Sequence, residues 1–237
     1  MKILAVSDEP SHSLETLIAD KPGQYKDIDI VVSCGDLSDD YLEYVVDGIN
    51  RDFYFISGNH PFEVSGDYFE PQKTTFSSRG VKYIAGEADL HGRIEVLGNY
   101  MLVGFGGSIW YNGEENQFTE EEMAKVVKNV ERNISWQRLQ DKLFRRQPKD
   151  VIVISHAPIA GVHDQPDRAH RGFKCFEGFV KKISPLLWLH GHIHMVNQHI
   201  NQVSLVGSTT VVNAFGCKVL DIKSKSIQVL SHCINDS

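Results

Sequence analysis

The sequence has no long apolar run and few cysteines, and both absences exclude classes of protein. No stretch of its 237 residues approaches the length of a membrane span, and the first residues, MKILAVSDEP, hold an apolar run too short for a secretory signal. Its four cysteines form no C-x-x-C pair, so neither a structural zinc site nor a disulfide framework is indicated. We therefore expect a cytoplasmic protein with no membrane partner.

The sequence also has little clustering of positive charge. Its formal net charge is -7, and Lys and Arg do not gather into the stripe that a nucleic-acid footprint requires. An obligate DNA or RNA partner is therefore not expected. With 41% apolar residues the chain is long enough to bury a full core, which predicts a single domain over residues 1–237.

What the sequence does contain is a series of short apolar runs that alternate with amphipathic segments. Such continuous runs are typical of strands covered on both faces by helices, so the alternation predicts an α/β fold. The runs are KILAVS, DIVVS, FYFIS, MLVGF, VIVIS and LLWLH. The segment RIEVLGNYMLVGF predicts a hairpin that turns at Gly98 and Asn99, and the C-terminal runs predict that the sheet ends in an antiparallel meander.

Two consecutive helices are predicted between the fourth and fifth runs. Thr119 and Glu122 form a capping-box pattern before apolar residues at helical spacing. Ser135 is the predicted cap of a second helix, which carries Leu139 and Leu143 and ends before the proline that follows.

The apolar runs end in residues that can bind metals. These are Asp8, Asp36, Asn59, His60 and His156, followed by His192 and His194 after the last run. Because the carboxyl ends of strands converge on the crevice of an α/β sheet, we expect these side chains to meet. Imidazole, carboxylate and amide groups suit Mn, Fe or Zn, and paired ions can activate water and neutralise phosphoryl oxygens. The set indicates phosphoester hydrolysis. His190, one step earlier, is predicted to be a core histidine with a satisfied hydrogen bond.

Five motif blocks in this order resemble the calcineurin-like metallophosphoesterases. They are Asp8, GDLSD at 35–39, GNH at 58–60, SH at 155–156 and GHIH at 191–194. The resemblance implies a four-layer α-β-β-α sandwich, with two mixed sheets flanked by helices and a dinuclear metal site at the strand ends. It points to the small bacterial-type branch, because the arginine typical of the protein Ser/Thr phosphatases is missing after GDLSDD.

The resemblance also assigns roles to individual residues. The implied ligands are Asp8, Asp36 and His194 for one ion, and Asp36, Asn59, His156 and His192 for the other. Asp36 would bridge the two ions. His60 would contact the substrate and assist the leaving group, and Asp39 would orient His60. The implied cofactors are two divalent cations, Mn, Fe or Zn, with Mn favoured.

The first motif block departs from the family pattern. The family has Asp-x-His there, and both polar residues bind the first metal, whereas this chain has Asp8, Glu9 and Pro10. Because proline has no side-chain donor, the first site loses a ligand. Glu9 or His12 could replace it, water could replace it and leave a weak or partly occupied site, or the protein could use one metal or none. We favour water or Glu9, because the second site keeps all four groups.

Two irregular stretches are candidates for substrate contact. Residues 162–173 hold three side chains suited to phosphate, Arg168, His170 and Arg171. The same stretch could instead be a surface loop tied down by its own aspartates. In GFGGSIWYNG, Trp110 and Tyr111 could stack on a base or line a leaving-group pocket, but packing under the following helices is preferred.

The sequence thus predicts a metal-dependent phosphoesterase acting on a small phosphorylated substrate. By the resemblance, a metal-bound hydroxide would attack phosphorus directly, and phosphodiesters are favoured over phosphomonoesters. The alternative is a phosphate-ligand or nucleotide-binding module, which keeps the fold but is catalytically weakened by the loss at Pro10.

Overall fold

The computed structural model describes residues 1–21, 23, 25–60, 82–196, 202–223 and 226–230. Its helices are α1 (His12–Asp20), α2 (Asp39–Ile49), α3 (Glu120–Leu143) and α4 (Lys174–Ile183). Its strands are β1 (Lys2–Ser7), β2 (Ile30–Ser33), β3 (Asp52–Phe55), β4 (Tyr83–Ile84), β5 (Glu87–Ala88), β6 (Ile94–Leu97), β7 (Tyr100–Phe105), β8 (Ser108–Ile109), β9 (Gln117–Phe118), β10 (Asp150–Ser155), β11 (Leu187–His190), β12 (Val203–Val206), β13 (Thr209–Asn213), β14 (Gly216–Lys223) and β15 (Ser226–Leu230).

Two mixed sheets pack face to face, and each carries helices on its outer side. The first sheet has the strand order β15-β14-β1-β2-β3, and the second has the order β12-β13-β11-β10-β7-β6. One apolar cluster, including Ala5, Ile154 and Leu189, lies between the sheets. Separate clusters join α1 and α2 to the first sheet, and α3 and α4 to the second. The four-layer α-β-β-α sandwich predicted from the sequence is therefore confirmed.

The predicted strands are all present, and their local signals are confirmed. Each apolar run contains a buried strand, because helices or the other sheet cover both of its faces. The hairpin of β6 and β7 turns at Gly98, whose φ of 57° is the left-handed conformation that glycine adopts easily. The Thr119 hydroxyl accepts from Glu122 N, and the Glu122 carboxylate accepts from Thr119 N, so the capping box is also confirmed.

The prediction of two helices after Thr119 is wrong, because α3 continues without a break. Ser135 lies inside α3, where its hydroxyl donates to the Glu131 carbonyl at 2.8 Å. A serine that bonds four residues back does not end a helix, and no glycine or proline interrupts residues 120–143. Consequently Leu139 and Leu143 do not pack in a core but are exposed.

The predicted C-terminal meander is also corrected. The four last strands form two hairpins that belong to different sheets, with β12 and β13 in the second sheet and β14 and β15 in the first. The chain crosses between the sheets at residues 214–215. Apolar alternation shows which face of a strand is buried but not which sheet it joins, so the crossing had no sequence signal.

Across the residues that the structure describes, no helix combines the length and apolar content needed to cross a membrane. Among the described cysteines, Cys34 and Cys175 are free thiols and Cys217 is disulfide-bonded. This bond differs from what the cysteine spacing indicated.

Candidate metal centre

The carboxyl ends of five strands bring the predicted ligands together. Asp8 follows β1, Asp36 follows β2, Asn59 follows β3, His156 follows β10 and His192 follows β11. Strands β1 to β3 are parallel in one sheet, as are β10 and β11 in the other, so the five ends lie at one edge of the sandwich. The predicted convergence is therefore present, and both sheets contribute to it.

Four side chains of the predicted second metal site lie in direct contact. His156 Nε2 is 2.9 Å from Asn59 Oδ1 and 3.2 Å from Asp36 Oδ2. Ligand atoms of Asp36, His156 and His192 all lie within 4.8 Å of one another. Asn59, His156 and His192 are buried, and the Asp36 side chain is 8% exposed. Buried polar atoms that converge in this way fit a cation placed among them.

Both histidines are oriented as metal ligands by backbone carbonyls. His156 Nδ1 donates to the Cys34 carbonyl at 2.8 Å, and His192 Nε2 donates to the Ala169 carbonyl at 2.9 Å. Because these bonds use the other ring nitrogens, His156 Nε2, once it loses its proton, and His192 Nδ1 are the atoms left to bind a metal. Metal-binding histidines generally fix their other ring nitrogen through such an acceptor, so the donor set fits a divalent cation.

Glycines in the motif blocks allow this close approach. A β-carbon on Gly58 would lie 1.8 Å from Asp36 Oδ1, and one on Gly191 would lie 2.6 Å from Asp8 Oδ2. Both distances are shorter than any real contact. The glycines of the GNH and GHIH blocks therefore make room for the carboxylates of neighbouring loops.

Three predicted ligands have backbones in the left-handed region. The φ angles are 65° for Asp8, 56° for Asp36 and 66° for His192. Residues other than glycine rarely adopt this conformation, and such strain concentrates at functional sites. Asp8 lies directly after β1, whereas Asp36 and His192 lie in the short turns that follow the ends of β2 and β11.

The buried charges set a clear protonation pattern in the absence of a metal ion. Burial opposes ionisation of Asp36, but the charge and hydrogen bond of His156 outweigh it and lower the pKa of Asp36 to about 2. Burial likewise opposes protonation of His156, but Asp36 outweighs it and raises the pKa of His156 to about 9. Burial and the charge of His156 lower the pKa of His192 to about 4. A cation at this point would take the place of the proton on His156.

The first predicted metal site has fewer groups. The buried Asp8 carboxylate accepts from His192 N at 2.9 and 3.0 Å, and His194 Nε2 lies 3.7 Å from Asp8 Oδ1. The close approach and negative charge of Asp8 raise the pKa of His194. His12 does not replace the missing ligand, since its side chain is 99% exposed and lies 2.9 Å from Glu15. With His12 removed, the alternatives left are Glu9, a water, or a protein that uses one metal or none.

The two predicted catalytic residues are placed differently. His60 is exposed beside the site, and its backbone N donates to Asp36 Oδ1 at 3.0 Å. Asp39 lies in the first turn of α2, where its carboxylate is 2.7 Å from Lys82 Nζ. The structure thus ties His60 to the predicted bridging ligand and gives Asp39 a lysine partner. The roles of both residues stay predictions.

The loop 161–173 reaches the metal centre, and its own aspartates also hold it in place. Asp164 accepts from Gly161 N and Gly172 N, and Asp167 accepts from the His170 backbone and ring. The His170 ring centroid lies 5.3 Å from that of His192. The interpretation as a loop tied down by its own aspartates is therefore confirmed, and its position beside His192 is compatible with the predicted substrate contact.

The predicted cationic side chains of this loop spread over its surface. The Arg168 guanidinium lies over the Trp110 ring, 5.1 Å from its centroid, and Arg171 is exposed. The contact joins the loop to the segment that carries Trp110, so both segments frame one side of the site. Substrate binding by Arg168, His170 and Arg171 stays a prediction.

The preferred placement of Trp110 and Tyr111 under the helices is wrong. Trp110 is 45% exposed, and the Tyr111 hydroxyl accepts from Asn59 Nδ2 at 3.1 Å. Gln117 Oε1 accepts from the backbone of Tyr111 and turns the segment toward the site. The bond between Asn59 Nδ2 and the Tyr111 hydroxyl fixes the Asn59 amide with its oxygen toward His156. Nothing in the sequence separated this contact from ordinary aromatic packing.

The core interpretation of His190 is confirmed, and it has a partner that was missed. His190 is fully buried, its Nδ1 donates to the Gly191 carbonyl, and its Nε2 lies 2.8 Å from His163 Nδ1. His163 Nε2 in turn lies 2.8 Å from Ser204 Oγ. His163 therefore anchors the loop 161–173 to the second sheet.

Comparison with known proteins agrees with this geometry. A family model described as calcineurin-like phosphoesterase matches residues 1–196. The solved structure of TT1561 of Thermus thermophilus is similar, with a TM-score of 0.61 and 13% identity over 97% of this chain and 98% of that chain. GAP50, the anchor in the inner membrane complex of Plasmodium, is similar with a TM-score of 0.53 and 10% identity over 98% of this chain and 84% of that chain.

At these identities the solved structures show a shared fold alone, and no curated protein matches the sequence. The family match covers the five motif blocks and all the strand ends that carry the candidate ligands. The chain belongs to the calcineurin-like phosphoesterase family.

Proposed function

We propose that the protein hydrolyses a phosphodiester or phosphomonoester of a small substrate at a site for two divalent cations. One observation carries the proposal: the side chains of Asp36, Asn59, His156 and His192 converge on one point. In addition, each of the two imidazoles has one ring nitrogen fixed by a backbone carbonyl, which leaves the other ring nitrogen to bind a metal. Divalent cations bound there, with Mn²⁺ favoured, would activate a water and neutralise the phosphoryl oxygens.

Asp36 is the proposed bridge between the two ions. Its two carboxylate oxygens already face different neighbours, since Oδ2 lies 3.2 Å from His156 Nε2 and Oδ1 accepts from His60 N. With a pKa of about 2, the carboxylate is ionised at every physiological pH. Asp8 and His194 complete the first site, where the ligand lost at Pro10 makes binding weaker.

The residues around the ions would hold and protonate the substrate. His60 is exposed next to Asp36 and is the proposed donor to the leaving alkoxide, and Asp39 is its proposed orienting group. Arg168, His170 and Arg171 supply positive charge on one side, where an anionic ester would bind. We favour a diester, since the sequence resembles the small bacterial-type members of the family more than the protein Ser/Thr phosphatases.

The test is hydrolysis of an aryl phosphodiester and the matching monoester by chelator-stripped protein with Mn²⁺ added back. His60→Asn should lower the turnover number by about 100-fold, within the usual contribution of acid–base catalysis. His12→Asn is the matched control, because His12 is an exposed histidine paired only with Glu15. Equal loss in both variants, or turnover that does not depend on metal, would contradict the proposal.

The second candidate function is a phosphate-ligand or nucleotide-binding module. The ligand lost at Pro10 favours it, since His12 is exposed, is paired with Glu15 and does not replace that ligand. In that case the wild-type protein should bind inorganic phosphate in a metal-dependent way without turning over either ester. Metal-dependent turnover of either ester excludes this candidate as the main role.

A further inference from the structure

The outward face of α3, near its C-terminal end, carries four exposed apolar side chains that the metal centre does not use. Trp136, Leu139, Leu143 and Phe144 are 61%, 45%, 68% and 67% exposed. The first three recur at helical spacing, so they form one stripe, and Phe144 continues it where the helix ends. Single exposed apolar residues are common, whereas an adjacent group of this size marks an interaction surface.

The same segment, WQRLQDKLFRRQPK, is strongly basic in a chain whose net charge is -7. Its one acidic residue, Asp141, is buried and accepts from Lys149 Nζ at 2.8 Å, so it does not neutralise the exposed cations. Those cations are Arg138, Lys142, Arg145 and Arg146. Together with the four apolar side chains they form what we call the α3 patch. The net negative charge of the whole chain gives no indication of this local cluster of positive charge.

The charge of the α3 patch argues for an anionic occupant and against a second copy of the chain. Two copies related by a two-fold axis would place the same residues against each other. The exposed cations Lys142, Arg145 and Arg146 would then face their equivalents across an apolar contact, where like charges repel. An anionic surface would satisfy the cations and the apolar side chains at once.

The position of the α3 patch leaves the metal centre accessible. Strands β7 and β10 are parallel, and α3 connects them, so α3 returns from the edge that holds the metal centre to the opposite edge. Phe144 therefore lies toward the end of the sandwich where β10 begins at Asp150. A surface that binds there does not cover the loops around His156 and His192.

We propose that the α3 patch docks the protein on the surface of an anionic lipid bilayer. The apolar side chains enter the headgroup region, and the surrounding Arg and Lys contact the anionic lipids. This peripheral contact needs no membrane-crossing helix. The proposal differs from the expectation of no membrane partner. That expectation depended only on the absence of a long apolar run and did not consider a basic amphipathic helix face.

The test is co-sedimentation of the full chain with vesicles of equal parts phosphatidylglycerol and phosphatidylcholine, compared with phosphatidylcholine alone. We expect binding to the anionic vesicles only, and binding that weakens steeply with added salt. The double variant Trp136→Ser and Phe144→Ser should lower the apparent affinity at least about tenfold. The matched control is Leu205→Ser, because Leu205 is 72% exposed on β12, away from the α3 patch.

Tryptophan fluorescence of the wild-type protein gives a second measurement that does not depend on variants. Trp188 is fully buried and Trp110 lies under Arg168 beside the metal centre, so a blue shift on adding anionic vesicles that is lost in Trp136→Phe reports entry of Trp136 into the bilayer. Absence of wild-type binding to anionic vesicles at low salt would overturn the proposal. So would a dimer that Trp136→Ser dissociates, or vesicle binding that the control lowers as much as the double variant does.

Discussion

Replacing Gly58 by alanine tests how closely the glycine loops fix the metal ligands. The new β-carbon would lie 1.8 Å from Asp36 Oδ1 and 2.7 Å from Asp36 N, whereas ordinary contacts begin at 3.4 Å. Rotation of the carboxylate alone cannot remove both overlaps, because the backbone atom is also too close. To reach an ordinary contact, the Asp36 backbone must therefore move by about 0.7 Å and its carboxylate oxygen by about 1.6 Å.

Such a movement should affect metal binding more than stability. Overpacking of a closely packed loop costs about 1–3 kcal/mol of unfolding free energy, so we expect a loss of about 2 kcal/mol. A metal–oxygen bond of about 2.1 Å does not survive a ligand displaced by this distance. Disturbing groups around a metal typically costs 10- to 100-fold in affinity, and a displaced bridging ligand should reach at least about 100-fold.

The assay is Mn²⁺ titration by calorimetry together with urea unfolding of chelator-treated protein. Gly178→Ala is the matched control, since Gly178 lies in α4 and an added β-carbon would meet no atom within 4 Å. That control should gain about 0.5–1 kcal/mol from helix propensity and leave Mn²⁺ affinity unchanged. Wild-type Mn²⁺ affinity in Gly58→Ala would refute the idea that the approach of Gly58 to Asp36 sets the site.

Three further predictions follow from the same region. Tyr111→Phe removes the acceptor for Asn59 Nδ2 and should lower Mn²⁺ affinity about tenfold by calorimetry, with unfolding free energy changed little; unchanged affinity would contradict the role of this bond. Burial lowers the pKa of His190 to about 3, so its contribution to stability is complete above about pH 6.5 and declines as the pH falls toward 3. The urea midpoint of chelator-treated protein should fall between pH 6.5 and 4, less so in His190→Gln, and a flat wild-type profile would count against this. Pro10→His should raise the Mn²⁺ stoichiometry toward two per chain and increase turnover, whereas unchanged values would show that Pro10 costs the first site no ligand.

Local signals in the sequence predicted much of the fold. The turn at Gly98, the capping box at Thr119 and the buried strands all depend on neighbouring residues, and all are present. Ser135 misled the prediction because serine is favourable at a helix start and tolerable inside a helix, and only the surrounding packing decides between them. The crossing between sheets depends on strand pairing, which a single sequence does not encode locally.

The candidate site shows the same division. Metal ligands were predicted because chemistry restricts them to a few residue types at strand ends. The groups that orient them were not, because Ala169 acts through a backbone carbonyl that any residue could supply, and Tyr111 acts through the path of its loop. Contacts that orient a ligand side chain in this way do not require a characteristic residue at a predictable position, so only the folded structure identifies them.

The metal centre joins the two sheets, and this affects how the chain folds. Asp8 leaves the first sheet and His192 leaves the second, and the bond between them closes a loop over 184 positions of sequence. Contacts of such long range form late, because a large loop entropy must be overcome first. A cation can thus bind to the complete site only after the two sheets have packed together. During refolding, the rate of metal binding should therefore equal the rate at which the apolar layer between the two sheets becomes buried.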